Sequence, residues 1–399
     1  MTRAQKLLLV LFVLLLLTQI PFAYRRYRLN RLSETIQSLE TTRFPTKTNP
    51  RFHEYKGVVH VHSFLGGHTN GQFSEIIEAA RANDLDFVVM TEHTEREVDT
   101  ASATLKGIHD GVLFVNGNEV STANGDRVLA VPGNASLANP QISVSDITSQ
   151  NPDGLTIAAY PDQFRDWDTK VDAIEIYNVF TNSKLINPVI AFFDTLWLHR
   201  SYPALMFANY YRRPDEAIRT WDKTLSSRKV VAVAGNDSHS NVGVQLTRSG
   251  RAIWKFQVDP YATSFQLVRM HVFVPSDQQL DINTLLTAMK QGRCFIGFDQ
   301  LGDTTGFGFQ AINSTTGTMA EMGDDVKLES GLKLRISLPI SAGIMLFKNG
   351  QVILDESEVS NREISIAERG VYRVEVYQPR LGKPFSEQPW IISNPIFVK

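Results

Sequence analysis

Asp86-Phe87-Val88-Val89-Met90-Thr91-Glu92-His93 is an apolar run with β-branched character that ends in a carboxylate and an imidazole. The same pattern recurs along the chain. Gly57-Val58-Val59-His60-Val61-His62 ends in two histidines, Val112 to Asn116 leads into Gly117-Asn118-Glu119, and Val230 to Ala234 leads into Gly235-Asn236-Asp237-Ser238-His239. Short runs rich in Val and Ile read as buried strands. Further strands are expected at Val128 to Val131, Leu155 to Ala159, Ala173 to Tyr177 and Val272 to Val274, and helices at Ser74 to Asn83, Pro214 to Leu225 and Asp281 to Lys290. Strands alternating with helices predict parallel β/α units, and this number of them suits an α/β barrel better than an open sheet. The carboxyl ends of barrel strands gather on one face, so the polar residues that end these runs should meet there.

Outward from this region the chain changes character at both ends. Leu7 to Leu17 is an unbroken apolar run, extended by Ile20, Pro21, Phe22, Ala23 and Tyr24 toward the ~20 residues that a bilayer span requires. A cleaved signal peptide is the alternative, but Pro21-Phe22-Ala23 is a poor small-x-small cleavage site, so residues 1–24 read as an uncleaved, single-pass anchor. Arg25, Arg26, Arg28 and Arg31 outnumber Arg3 and Lys6 and by charge alone would hold the body in the cytoplasm. Short N-terminal anchors of this kind often export the domain attached to them, and the body is read as extracytoplasmic. Residues 25–50, with Pro45 and Pro50, read as a linker, and 51–307 as the barrel. From 308 to 399 closely spaced strand patterns, with Lys348-Asn349-Gly350 as a hairpin turn, predict a small all-β sandwich.

Composition narrows the chemistry. Across 399 residues, Lys+Arg 40 against Asp+Glu 42 leaves a net charge of -2, so no global field recruits nucleic acid and an anionic substrate must be met by local cations. Arg165, Arg212 and Arg213 are the candidates for that, against a reading as ordinary solvated arginines. The single cysteine, Cys294, excludes both a disulfide scaffold and a thiolate zinc site. Histidines and carboxylates remain. A His-x-His pair on a strand puts both rings on one face, where they can grip one ion. Taken alone, such a pair is more often structural, and a strand-end Glu-His or Asp-Ser-His is as readily a capped loop with a solvated histidine as a ligand. Carboxylates and imidazoles that close strand after strand have no explanation in core packing.

The ordered series His60-Val61-His62-Ser63, His68, Thr91-Glu92-His93, Glu119 in Gly117-Asn118-Glu119-Val120, Ile174-Glu175-Ile176-Tyr177-Asn178 and Gly235-Asn236-Asp237-Ser238-His239 resembles the polymerase and histidinol phosphatase superfamily of metallohydrolases over about Phe52 to Asp299. The resemblance implies a distorted seven-stranded β/α barrel that binds one or two divalent ions of zinc, manganese or iron. By it, His60, His62, Glu119 and Asp237 would hold one ion, and His68, His93 and His239 another. It departs where Tyr160 stands in place of a histidine before Pro161 and where a second imidazole is missing near Asn178, which removes the family's third ion. Glu92 stands where aspartate is usual. Trp221-Asp222, the terminal Ser393-Asn394-Pro395-Ile396 and the N-terminal span make the whole chain similar to the carbaryl-hydrolase-like branch, whose members cleave amides, carbamates or aryl esters.

These residues lead to an expectation of hydrolysis by a metal-activated water, with Glu119, Asp237 and Tyr160 at the reacting centre and Arg165, Asn178, Arg212 and Arg213 toward a small-molecule substrate. Phosphoesters, including nucleotides or short oligonucleotides but without stable nucleic-acid binding, stand first. Amides, carbamates or aryl esters stand second, and a non-catalytic, metal-stabilised binding module of the cell envelope third. His53, His109, His199 and His271 fall outside the series and are read as structural or surface groups.

Overall fold

The computed structural model describes residues 2–45, 49–67, 69–183, 186–248 and 251–399. The polar-ended runs form β1 (Phe52–Val61), β2 (Phe87–Met90), β3 (Glu92–His93), β5 (Val112–Val115), β6 (Asn118–Ser121) and β10 (Val231–Gly235). Between them lie β4 (Gly107–His109), β7 (Arg127–Val131), β8 (Leu155–Ala159) and β9 (Ala173–Asn178). Every residue of β2 and β9 is buried, as befits strands covered on both faces.

Parallel ladders join β1 to β2, β2 to β5, β8 to β9 and β9 to β10. The expectation of uniformly parallel units fails at β7, which is antiparallel to both β6 and β8. Only the turn Thr122–Asp126 separates β6 from β7, and a parallel neighbour would need a crossover of about a dozen residues or more. Two seams then join the ladders. Along one, Val61 bridges Ser238, Asn236 N–H donates to Val59 O at 2.8 Å and His62 N–H donates to Ser238 O at 3.0 Å. Along the other, β3 pairs in parallel with β6 while Thr91 N–H donates to Val61 O at 2.8 Å. The seams bring the ends of β1, β3, β6 and β10 to one place.

Helix α1 (Arg3–Glu40) corrects the linker expectation: it runs for 38 residues, well past the apolar run. Its second half buries Leu29, Leu32 and Leu39 and packs Ile36 against the main core. The spacing of these four positions is a helical stripe facing the body. The other helices are α2 (Phe73–Ala82), α3 (Thr100–Ala103), α4 (Val144–Gln150), α5 (Val179–Ser183), α6 (Pro188–Leu198), α7 (Pro203–Ala208), α8 (Asp215–Leu225), α9 (Tyr261–Ser264) and α10 (Ile282–Lys290). Of these, α2, α8 and α10 coincide with the helices expected from periodicity.

The chain continues through β11 (Gly243–Arg248) and β12 (Arg251–Gln257), an antiparallel hairpin, to β13 (Arg269–Pro275) and β14 (Cys294–Gly297). Then come β15 (Gly308–Asn313), β16 (Thr318–Glu321), β17 (Asp325–Val326), β18 (Lys333–Lys348), β19 (Gln351–Ser365), β20 (Gly370–Tyr377), β21 (Pro389–Ser393) and β22 (Ile396–Val398). The C-terminal strands are not set apart from the rest. The sheet order β16-β15-β18-β20-β21-β14-β13-β1-β2-β5-β4 runs through both parts of the chain. In place of several short strands, residues 333–348 form the single long strand β18, whose ladder with β19 is irregular between Ser337 and Ala342. Pro339 falls in that gap, where no ladder donor is needed. The hairpin at Asn349-Gly350 forms as expected, with φ of 51° and 79°.

Buried polar contacts fasten the C-terminal strands to the site-bearing ones. Arg373 donates to both carboxylate oxygens of Asp222, at 2.9 and 2.8 Å, and to Glu375 at 2.6 Å. Asn394 accepts from Ala232 N–H at 2.8 Å and donates to Ala232 O at 3.0 Å, so its amide completes the edge of β10.

Candidate metal centre

Backbone irregularities aim the side chains. His60 has φ of 68° and lies where the β1–β2 ladder slips between Val59 and Val61, while Tyr160 and Asp237, just past the ends of β8 and β10, have φ of 49° and 48°. Each left-handed non-glycine residue costs on the order of 1–3 kcal/mol, strain that the surrounding packing must sustain. His93 and Glu119 are register partners on β3 and β6 and so enter side by side. Gly235 lets the strands close up: a Cβ there would stand 1.7 Å from Glu175 Oε1 and 3.0 Å from the His60 Cβ.

Four ligand-type atoms converge. His60 Nε2 and His62 Nε2 each lie 3.5 Å from Glu119 Oε2 and 3.5 Å from Asp237 Oδ1. Four ligands in a tetrahedron about 2.1 Å from a central zinc would be separated by roughly 3.4 Å, which these four imidazole–carboxylate separations match, and ligand atoms of His60, His62 and Glu119 all lie within 4.8 Å of one another, as a shared divalent cation requires. His60 Nε2 and Asp237 Oδ1 are buried and make no hydrogen bond. Orphaned buried polar atoms are rare in proteins unless an ion or water completes them. On the outer side, His93 Nδ1 lies 3.3 Å from Glu119 Oε2 and His239 Nδ1 lies 3.3 Å from Asp237 Oδ1. Ligand atoms of His62, His93 and His239 also all lie within 4.8 Å of one another, a second candidate group that shares His62 with the first. His68, expected in that second set, lies outside the described residues.

The field of the cluster is that of closely packed carboxylates and imidazoles. Burial alone would lower the His60 pKa, but the charges of Asp237 and Glu175 and the contact with Glu119 raise it well above the ordinary histidine value. Glu119, despite burial that raises it, is held down at about 2 by its contact with His60 and the charges of His60, His62 and His93. Asp237 is lowered in the same way, against its burial, by His60, His62 and His239. Burial, with Asp237, Glu119 and Glu175 beside it, pushes the Tyr160 phenol far up, so it stays protonated.

Tyr160 and Asn178 reach the cluster. The Tyr160 hydroxyl donates to Asp237 Oδ2 at 2.8 Å, and Asn178 Nδ2 donates to Glu175 Oε2 at 3.0 Å and to Asp237 Oδ2 at 3.2 Å. The three arginines expected near substrate do not. Arg213 corrects that expectation outright: its guanidinium is bound to both oxygens of Glu375, at 2.9 and 2.6 Å, because the buried carboxylate on β20 needs it there. Arg165 is exposed, with Nη1 donating to Asn124 O at 3.4 Å, and Arg212 is exposed ahead of α8. In their place stands Arg127, not singled out from the sequence, with Nη1 3.6 Å from Glu119 Oε1 and its side chain 40% exposed.

Glu175 is the other residue whose role was not read from sequence. Its Oε1 lies 2.6 Å from His60 Nδ1, fixing the ring so that Nε2 faces the centre. A charged residue inside the apolar run Ala173-Ile174-Glu175-Ile176-Tyr177 was the available signal. Glu92 is not a ligand: it accepts from Ser63 N–H at 3.0 Å, Ser63 Oγ at 2.6 Å and Thr104 Oγ1 at 2.7 Å, bracing the loop after β1.

Fold and site together define a mixed α/β chain with a buried histidine and carboxylate cluster suited to a divalent cation, and with one N-terminal helix long and apolar enough to cross a membrane. No family model matches the chain, and no curated protein does. Among solved structures, PsfC from Pseudomonas syringae is similar at 12% identity with a TM-score of 0.40, covering 62% of this chain and 94% of its own. A two-domain protein from Bacteroides vulgatus, described as containing a predicted PHP-like metal-dependent phosphoesterase, is similar at 13% identity with a TM-score of 0.39, covering 88% of this chain and 98% of its own. Neither likeness bears on the chemistry, which rests on the cluster itself.

Proposed function

We propose that this chain is a membrane-anchored, metal-dependent hydrolase of the polymerase and histidinol phosphatase type, acting on nucleotides or other small phosphoesters, with its body outside the cytoplasm. The observation that carries the reading is the set of four 3.5 Å separations among His60, His62, Glu119 and Asp237, two of whose atoms are buried without a hydrogen bond. The same reading takes the two seams as closing a distorted seven-stranded barrel around them.

His60, His62, Glu119 and Asp237 would hold one ion, with His93, His239 and His68 toward a second; a divalent cation held there supplies a Lewis acid and water that ionises near neutral pH. The chain's own residues supply the rest. Glu175 and Asn178 fix the orientation of His60 and Asp237. Tyr160, protonated, donates its one hydroxyl proton to Asp237 Oδ2 and so steadies that carboxylate with Oδ1 turned to the centre. Arg127 offers the positive charge that a phosphate oxygen requires, half-exposed at the rim beside Glu119. One observation favours a second reading, hydrolysis of an amide, carbamate or aryl ester: the cavity that meets Asp237 is lined mainly by apolar side chains such as Phe180, Phe207 and Leu267.

The test is hydrolysis by the detergent-solubilised full chain of bis(4-nitrophenyl) phosphate, 4-nitrophenyl phosphate and 4-nitrophenyl acetate, with and without chelator. Phosphoester cleavage that chelator and His62→Ala both abolish is the expected result. Cleavage of the acetate alone would establish the second reading, cleavage undiminished in His62→Ala would remove the site, and bound metal with no cleavage would leave a binding module.

A further inference from the structure

Helix α6 presents three faces. Ala191 and Thr195 line the cavity that meets Asp237, and Leu198 on the same side is fully buried. Phe193, Asp194 and Trp197 face α1: Phe193 packs on Phe22 with ring centroids 4.9 Å apart, Arg25 pairs with the buried Asp194 at 2.7 Å, and Trp197 Nε1 donates to Gln19 at 3.1 Å. The remaining stripe, Val189, Phe192 and Leu196, is 60–64% exposed. Helical spacing makes that stripe continuous, and water is a poor neighbour for it.

The contacts with α1 fix where the stripe lies. Gln19, Phe22 and Arg25 stand at the end of the apolar run, which itself is exposed from Leu7 to Leu17. Around that level the surface carries exposed Tyr24 and Tyr27, with Arg25, Arg26, Arg28 and Arg31 close by. Aromatic side chains and arginines at the end of an apolar span are the mark of a membrane–water interface. An apolar helix held against α1 at this level has a bilayer surface as its neighbour, in the manner of an interfacial helix.

We propose that α6 lies in the surface of the membrane that α1 anchors, and that the cavity behind it receives the apolar part of an amphiphilic phosphoester drawn from that membrane. The substrate part of this inference rests on the hydrolase reading; the membrane contact does not. The cavity is about 240 Å³, with Ala191 and Thr195 of α6 on its wall together with Asn236, Asp237 and Ser238 beside the cluster, so a chain lying in it would lead from the lipid side toward Asp237. Phe180, on the cavity wall, has its ring 5.8 Å from that of His239 and joins the apolar passage to the cluster.

The test uses the full chain in phosphatidylcholine–phosphatidylglycerol vesicles, labelled with an environment-sensitive fluorophore at Phe192→Cys or Leu196→Cys. Arg219→Cys on the exposed face of α8 serves as the control, and Cys294 is buried away from label. Emission at 192 and 196 should shift to the blue and be quenched by brominated lipid, and emission at 219 should not. Water-like emission at all three positions overturns the membrane contact, whatever the protein hydrolyses. For the cavity, 4-nitrophenyl octyl phosphate should have a kcat/KM at least tenfold above that of 4-nitrophenyl methyl phosphate, and Ala191→Trp should erase the difference. Equal turnover of the two esters by the unaltered chain overturns the amphiphile assignment and leaves the hydrolase standing. Failure to cleave either with metal bound overturns both.

Discussion

Glu175 is buried with one carboxylate oxygen against His60 Nδ1 and the other accepting from Asn178. Its substitution separates orientation of a ligand from ligation itself. Glu175→Gln keeps the volume and loses the charge-assisted bond, so metal affinity should fall about 10–100-fold while circular dichroism is unchanged; an unaltered affinity in a metal-competition titration would remove Glu175 from the site. Tyr160→Phe removes the hydroxyl that holds Asp237 Oδ2, so metal affinity should again fall about 10–100-fold with the fold retained, and an unaltered affinity in the same titration would remove Tyr160 from the site. His271 belongs to another network, between Glu54 at 2.8 Å and Thr304 at 2.9 Å, with Asp299 at 3.5 Å. Burial would lower its pKa, but Asp299 and Glu54 raise it to about 9, above the unfolded value of 6.5. A raised histidine stabilises the fold below the unfolded pKa and loses that contribution as pH climbs through the folded one. Unfolding free energy should therefore drop between pH 6.5 and above 9, by on the order of 3 kcal/mol, and His271→Gln should flatten that slope in denaturant titrations.

At the scale of elements, the strands were legible because each was short, apolar and bounded by polar residues, as β2, β8 and β9 show. What periodicity could not convey was direction: β7 reads like its neighbours, and only the shortness of Thr122–Asp126 reveals that it runs the other way. Helices α5 to α7 were missed because apolar residues occur all round α6, whose three faces are turned to the cavity, to α1 and to the outside and leave no polar stripe. Pro188 and Pro203 at the first turns of α6 and α7 were the signals passed over. The motif residues of the cluster were legible one strand at a time. Arg127 and the role of Glu175 were not: Glu175 acts through His60, 115 residues away, and Arg127 meets Glu119 only because β7 turns back antiparallel on β6. The seams depend on backbone pairing at Val61 and Ser238, so β10 must be held in place from behind by Asn394. Asn394→Ala leaves the Ala232 N–H and C=O buried without partners and should cost about 2–4 kcal/mol, read as a lowered denaturation midpoint; a change within a few tenths would show that β10 stands without it.

For the whole molecule, the C-terminal strands are part of the scaffold that positions the cluster. Arg373 ties Asp222 on α8 to Glu375 on β20, and the boundary drawn from sequence at residue 308 is crossed by the β14–β21 ladder. Arg373→Met should destabilise the chain by about 3–5 kcal/mol and should lower metal retention with it, since α8 backs β9 beneath Glu175. Helix α1, likewise, continues from its apolar half into the body through Leu29, Leu32 and Leu39. All of these features serve one proposal, that scattered imidazoles and carboxylates share a cation. The most direct measurement is elemental analysis of the purified full chain beside His60→Ala and Asp237→Ala. One or two divalent ions per chain, falling by at least one in either variant with the fold retained, is the predicted result; a well-folded chain that takes up no zinc, manganese or iron would contradict it.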